Sequence, residues 1–283
     1  MIVLALVVLQ APVATQTGAF QSPLVLESSG VVVSRAHPGV LWTHNDSGDG
    51  PYLYATDLKG SDRGRLLVPG ADAIDWEDLA RGPCPARAGT CLYVADTGDN
   101  LEARPSVTVY AVPEPDPPVG PGDTLRTTAA PVILRLKYPD GPHDVEAVYV
   151  SPLDTALYLV TKGRTGRIRV YRVPRPDWGA RDIVAATRVQ ALDMEPNAEA
   201  GRWVTGAAIR SDGRLVAIRT YSEIYFFRPG VGGRLHPTGH ACNIAGLERG
   251  GEAIDFLDDS TLVLTSDADG KRGAPIHTLR CPR

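Results

Sequence analysis

Short runs that begin with leucine, stay apolar for several residues and end polar recur along this chain: LWTHND (41–46), LYVADT (92–97), LYLVTK (157–162), LVAIRT (215–220) and LVLTSD (262–267). A second run stands just upstream of each: LESSGVVVS (26–34), IDWEDLARG (74–82), DVEAVYVSP (144–152), VTGAAIRSD (204–212) and EAIDFLDDS (252–260). Third runs follow downstream, such as YLYATDL, VTVYAVP, IRVYRVP and EIYFFRP, and fainter fourth runs, of which VILRLKYP is the clearest. Such runs, rich in Val, Ile, Leu and Tyr and separated by Gly, Pro and Asp, predict strands rather than helices. Only ARDIVAATRVQ (180–190) reads as a short helical turn.

Four strands over roughly fifty residues, repeated five times, is the signature of a β-propeller. A sandwich needs no such repetition, and a TIM barrel needs alternating helices. The expected fold is all-β: a propeller of four-stranded antiparallel blades, five in number, with six as the alternative count. An N-terminal strand near PLVLE (23–27) is expected to close the ring.

In a propeller blade the innermost strand lines the channel and the next runs antiparallel beside it. The start of the first and the end of the second therefore share one face, and here those positions are polar. Inner-strand starts supply Asp75, Glu77, Asp78, His143, Asp144, Glu146 and Glu252. Second-strand ends supply His44, Asn45, Asp46, Asp96, Asp99, Asn100, Lys162, Arg219, Ser266 and Asp267. For Asp49, Asp99, Asn100 and Asp269, set in GDG, TGDN and DADG, turn chemistry suffices.

Glu77, Glu146 and Glu252 need another account, because glutamate suits neither turns nor strands. Inward carboxylates near one axis repel unless cations or protons intervene. One reading pairs them with Arg219 and Lys162 or with neighbouring strands. The other is a Ca2+ site with Asn45, Asp46, Glu77, Glu146 and Glu252 as oxygen ligands. His44 and His143 are the histidines on this face and are candidate general bases, with Asp75 as a third catalytic candidate. Lys162 and Arg219 are placed to hold anionic oxygens, with Asp96 and Asp267 as further substrate contacts. The chain carries no G-x-S-x-G elbow, phosphate loop, G-x-G-x-x-G or H-E-x-x-H motif.

Composition narrows the partners. A net charge of −4 and 43% hydrophobic content give no basic field for nucleic acid or an anionic membrane. Residues 1–15 read as a signal-peptide-like segment, with a buried first strand as the alternative, and 16–283 as one domain. No later stretch is long and apolar enough to span a bilayer. Four cysteines, best paired as Cys84–Cys91 and Cys242–Cys281 among three connectivities, point to an oxidising, extracellular or periplasmic setting. The expected state is a monomer.

The segments GVLWTHNDSGDG, DWEDLA, LYVADTGDN, VTVYAVPEP, YPDGPHDVEA and GEAIDF resemble exported bacterial β-propeller proteins of unassigned function. More distantly, the inner-strand Glu pattern resembles the phytase-like, gluconolactonase and paraoxonase propellers. That resemblance implies calcium at the channel mouth and hydrolysis of esters, lactones or phosphoesters, although those enzymes usually have six blades. Three functions are carried forward. One is a secreted calcium-dependent hydrolase of a small molecule. Another is a five-bladed glycoside hydrolase using two carboxylates from Asp46, Asp75, Glu77 and Glu146 on a sugar-like substrate. The third is a propeller that binds a ligand or protein without catalysis.

Overall fold

The computed structural model describes residues 12–118, 120, 126–267 and 271–282. Five antiparallel blades form a ring, and nothing described calls for a sixth. Blade 1 runs outward from Ser28–Val33 through Leu41–Asn45 and Tyr52–Thr56 to Arg65–Leu67. Blade 2 comprises Trp76–Pro83, Thr90–Asp96, Val107–Pro113 and Val132–Lys137, and blade 3 comprises Val145–Val150, Leu157–Thr161, Arg169–Val173 and Thr187–Ala191. Blade 4 is built from Val204–Ile209, Val216–Thr220, Glu223–Pro229 and Leu235–Asn243. Blade 5 takes Gly251–Phe256, Thr261–Ser266 and Pro275–Arg280 from the chain end, and its outer strand, Val13–Ala19, from the chain start.

The ring is thus closed by an N-terminal strand, but a different one from that expected. Val13–Ala19 pairs with Pro275–Arg280, whereas 23–27 is an irregular crossing that buries Val25 between blades 5 and 1. Residues 1–11 of the leader-like segment and Asp269 lie outside the described residues. The helical turn expected at 180–190 is also extended. Val184–Ala185 pairs in parallel with Leu136–Lys137, and Thr187–Ala191 is the outer strand of blade 3. β-Branched residues and an open sheet edge outweigh the weak helical pattern there. Among the described residues, helical structure is confined to 3-10 turns at Arg175–Asp177 and Val231–Gly233.

The core is divided into five layers, one between each pair of neighbouring blades. Successive side chains of one strand point to opposite sides, so Val31 and Val33 enter the layer shared with blade 5 while Val32 enters that shared with blade 2. Inner strands are therefore buried on both faces, which is why they read as continuous apolar runs. Outer strands alternate: in Val132–Lys137, Leu134 and Leu136 are buried while Arg135 and Lys137 are exposed. Both disulfides pair as expected, Cys84–Cys91 and Cys242–Cys281. The second does not lie within the last blade; it ties the outer strand of blade 4 to the end of the third strand of blade 5.

Candidate functional site

Every inner strand carries a register irregularity at the same place, one residue in from the channel mouth. The unpaired residues are Ser29, Glu77, Glu146, Thr205 and Glu252. A bulge leaves one residue outside the ladder and re-aims its side chain. Two blades use the position structurally: Ser29 donates to the Glu77 carbonyl at 2.6 Å, and Thr205 to the Glu252 carbonyl at 3.1 Å. The other three blades place a glutamate there.

Around these glutamates the carboxylates form two overlapping triads. Oxygens of Asp46, Asp75 and Glu77 lie within 4.8 Å of one another, as do those of Glu77, Asp144 and Glu146. Glu77 belongs to both. Asp46 comes from the end of the second strand of blade 1, Asp75 and Glu77 from blade 2, and Asp144 and Glu146 from blade 3. Glu77, Asp144 and Glu146 are buried, while Asp46 and Asp75 are partly open to solvent. Glu77 and Asp75 of the rim triad close over Gly98, where a Cβ would stand 2.1 Å from Glu77 Oε1 and 2.4 Å from Asp75 Oδ2.

Charge in this mouth is incompletely balanced. Lys162 Nζ meets Glu146 Oε1 at 2.5 Å, and Arg164 Nε stands 3.7 Å from Asp144 Oδ2. No ion pair reaches Asp46, Asp75 or Glu77 among the described residues. Burial, with the charges of Asp46 and Asp144, raises the Asp75 carboxyl to about 6. Burial also raises Glu146, to about 7, against the opposing pull of Lys162. Glu77 is pushed well above the carboxylate range by burial and then by Glu146, Asp46 and Asp75. Burial works against the charge on Lys162, but Glu146, Glu77 and Asp144 outweigh it and raise the ammonium above its ordinary value.

Glu252 lies one blade further round, outside both triads, with Tyr221 donating to its Oε1 at 3.2 Å. Its Oε2 is buried without a hydrogen-bond partner among the described residues. Burial raises its carboxyl, followed by the charge of Glu146. Asp267 closes over Gly250, where a Cβ would stand 1.7 Å from Asp267 Oδ1, and its charge adds to that on Glu252 and Glu27.

Several expected site residues are spent elsewhere. Asn45 Oδ1 accepts from the Leu26 and Glu27 amides, and its Nδ2 donates to the Leu24 carbonyl and Asp49, so it latches the crossing segment rather than offering a ligand. His44 is fully buried, edge-on to Trp76, with Nδ1 on the Asn45 carbonyl at 2.8 Å. Burial lowers its basicity. His143 stacks on Tyr171 and stands 3.3 Å from Asp140 and 3.9 Å from Glu102. Arg219 is sealed between blades 4 and 5, donating to the carbonyls of Ala253 and Thr265 and paired with Glu248. Asp96 holds Arg104 at 2.9 Å and accepts from the Asp75 amide. The turn residues behave as expected: Asp49 accepts from Asn45, Gly50 and Tyr54, and Asp99 caps the amides of Ala103 and Arg104.

Asp144 is the residue that the expected ligand set lacked. Its signal is a repeated D-x-E, Asp75-Trp76-Glu77 and Asp144-Val145-Glu146, which puts both acids of each blade on one side of the strand. Blade 5 has Gly250 at the corresponding position, so Glu252 stands without that partner.

No protein-family model matches the sequence, and no curated protein sequence matches it significantly, so the families named above gain no support at the sequence level. Solved structures match most of the chain. An aldose sugar dehydrogenase from Streptomyces coelicolor in its PQQ-bound form is 13% identical over 95% of this chain and 98% of its own, with a TM-score of 0.52. A glucose dehydrogenase is 11% identical over 94% and 98%, with a TM-score of 0.50. At these identities the likeness is one of fold. The chain is an all-β, five-bladed propeller with an acidic channel mouth. Among the described residues no helix is long and apolar enough to cross a membrane, and two disulfides accord with an oxidising compartment.

Proposed function

We propose that the mouth is a Ca2+ site and that this is an exported hydrolase of a small ester, lactone or phosphoester. The observation that carries the reading is the rim triad, Asp46, Asp75 and Glu77, three carboxylates from two blades drawn together, two of them against Gly98, without a pairing cation among the described residues. Oxygen donors without nitrogen or sulfur suit a hard cation. Glu77, shared by both triads, is the central ligand, with Asp46, Asp144 and Glu146 as the other donors. Asn45 is dropped from the set, and Glu252 takes an outer place. When bound, calcium supplies charge that polarises the scissile oxygen.

The chain's own residues do the rest. Asp75, partly open and raised to about 6, is the general base that can take a proton from water near neutral pH. His44 and His143 are not assigned that role. Lys162, paired with Glu146, opposes the effect of burial on that carboxyl and steadies negative charge deep in the mouth.

A sugar-cleaving alternative rests on one observation: carboxyls that hold protons near neutral pH, Glu146 and Asp75, stand beside a lysine-assisted acid cluster, so acid and base could share the mouth.

Calorimetric titration with Ca2+, beside assays on nitrophenyl esters, lactones, phosphodiesters and nitrophenyl glycosides with and without chelator, separates these readings. Saturable calcium binding, lost in Glu77→Gln and Gly98→Ala, with chelator-sensitive ester or phosphoester turnover is the expected result. Glycoside turnover indifferent to chelator would establish the alternative. Calcium binding with no turnover leaves a binding propeller, and no calcium binding at all overturns the metal reading.

A further inference from the structure

On the face away from the acidic mouth, the gap between blades 4 and 5 opens into a cavity of about 530 Å3. That is the size of a small-molecule site. Its floor is apolar, formed by Leu215 and Phe226 of blade 4 and Phe256 and Leu262 of blade 5. Its rim is cationic: Arg210, Arg214 and Arg228 contribute to it, and Asp259 is the acid that lines it. Arg210 is already matched, at 2.7 Å, to Asp212. Arg228 is exposed and has no ion pair among the described residues. Cys281 forms part of the wall, and its disulfide to Cys242 fixes the two blades across the gap.

We propose that this cavity binds a small amphipathic anion, an aromatic or aliphatic carboxylate whose apolar body lies on the phenylalanine floor and whose charge meets Arg228 and Arg214. Charge complementarity selects that class. The rim holds more arginines than acids, and the planar guanidinium fork matches a carboxylate in two parallel hydrogen bonds. A neutral apolar ligand would leave Arg228 without a counter-charge, and an amphipathic cation would meet repulsion. Because a covalent bridge holds the two blades, the wall is pre-formed, and binding need not order a loop. The site is separate from the channel mouth and does not depend on the function proposed for it.

The test uses the full-length protein with 1-anilinonaphthalene-8-sulfonate as the probe, followed by fluorescence and calorimetry, and 2-naphthoate and 2-naphthamide as competitors. One saturable site is expected, displaced by the carboxylate and not by the isosteric amide. Arg228→Glu should weaken the probe by about tenfold or more, equivalent to at least ~1.4 kcal/mol, while Glu77→Gln and calcium leave it unchanged. Arg228→Gln, which keeps the length and removes the charge, should fall between. Melting curves of the variants that overlay the parent exclude misfolding as the cause. The proposal is overturned by absence of saturable binding, by equal displacement with the amide, or by an Arg228→Glu protein that binds as the parent does.

Discussion

Glu146 and Asp75 hold protons into the neutral range, up to about 7 and about 6, because burial and like-charged neighbours penalise their ionised forms. Carboxyls in an unfolded chain titrate near 4. Between about pH 4 and pH 7 these two carboxyls therefore hold more protons in the folded protein than in the unfolded chain, and linkage makes their contribution to stability fall as pH rises through that window. In chelator, the melting temperature is expected to decline from pH 5 to pH 8. Calcium binds the ionised carboxylates and competes with those protons, so the gap between calcium and chelator curves should widen over the same range. A melting temperature that rises steadily with pH in chelator would show that the cluster is already charge-balanced. At this scale the sequence showed which acids stand on the mouth but not how each is used. Asn45 and Arg219 sit at the expected strand ends, yet their hydrogen bonds to main chain 18 to 46 residues away consume them. Those are tertiary contacts that no local pattern encodes.

The element that organises the mouth is the bulge, repeated in all five inner strands. Strand count, blade order and the shared face were legible, because inner strands buried on both sides leave continuous apolar runs in the sequence. The bulge was not, since it inserts no glycine or proline of its own in blades 2 and 3 and merely shifts which of two adjacent residues turns inward. One residue beyond it, Gly30, Ala147, Gly206 and Ala253 are small where the five strands converge, and blade 2 alone has an acid there. Asp78 is fully buried and accepts from the amides of Leu79, Val148 and Ala207, stitching blades 2, 3 and 4 across the channel. Asp78→Ala removes the acceptor from all three donors and is expected to cost on the order of 3 kcal/mol. Asp78→Asn keeps one acceptor oxygen, which can serve Val148 and Ala207, but turns its NH2 towards the Leu79 N–H, so it should cost less than alanine, about 1–2 kcal/mol. Urea denaturation measures both. An alanine variant as stable as the parent would mean that water satisfies those amides and that the stitch is dispensable.

Across the whole molecule, five interblade layers stand in place of a single centre, so stability depends on the ring staying closed. Two devices close it: the Cys242–Cys281 bridge between blades 4 and 5, and the pairing of Val13–Ala19 with Pro275–Arg280. The bridge joins residues 39 apart and the other disulfide residues 7 apart. On chain entropy, Cys242→Ser with Cys281→Ser should cost ~2–4 kcal/mol and the Cys84, Cys91 double variant less. The strand matters in another way. Without it, Pro275–Arg280 presents an unpaired edge on its outer side, a template for pairing with another chain. A leader removed after Ala14 would take away only the pairs Val13↔Arg280 and Ala14↔Leu279 and leave those of Thr15, Gln16, Gly18 and Ala19 in place. A chain beginning at Thr15 should therefore stay monomeric and melt within a few degrees of the longer one, whereas a chain beginning at Phe20 should melt lower and self-associate. Light scattering coupled to gel filtration, read beside thermal melts, distinguishes the two. If the chain beginning at Phe20 is as stable and as monomeric as the one beginning at Thr15, the ring is held by its interblade layers and the disulfide alone, and the N-terminal strand is only a cover on blade 5.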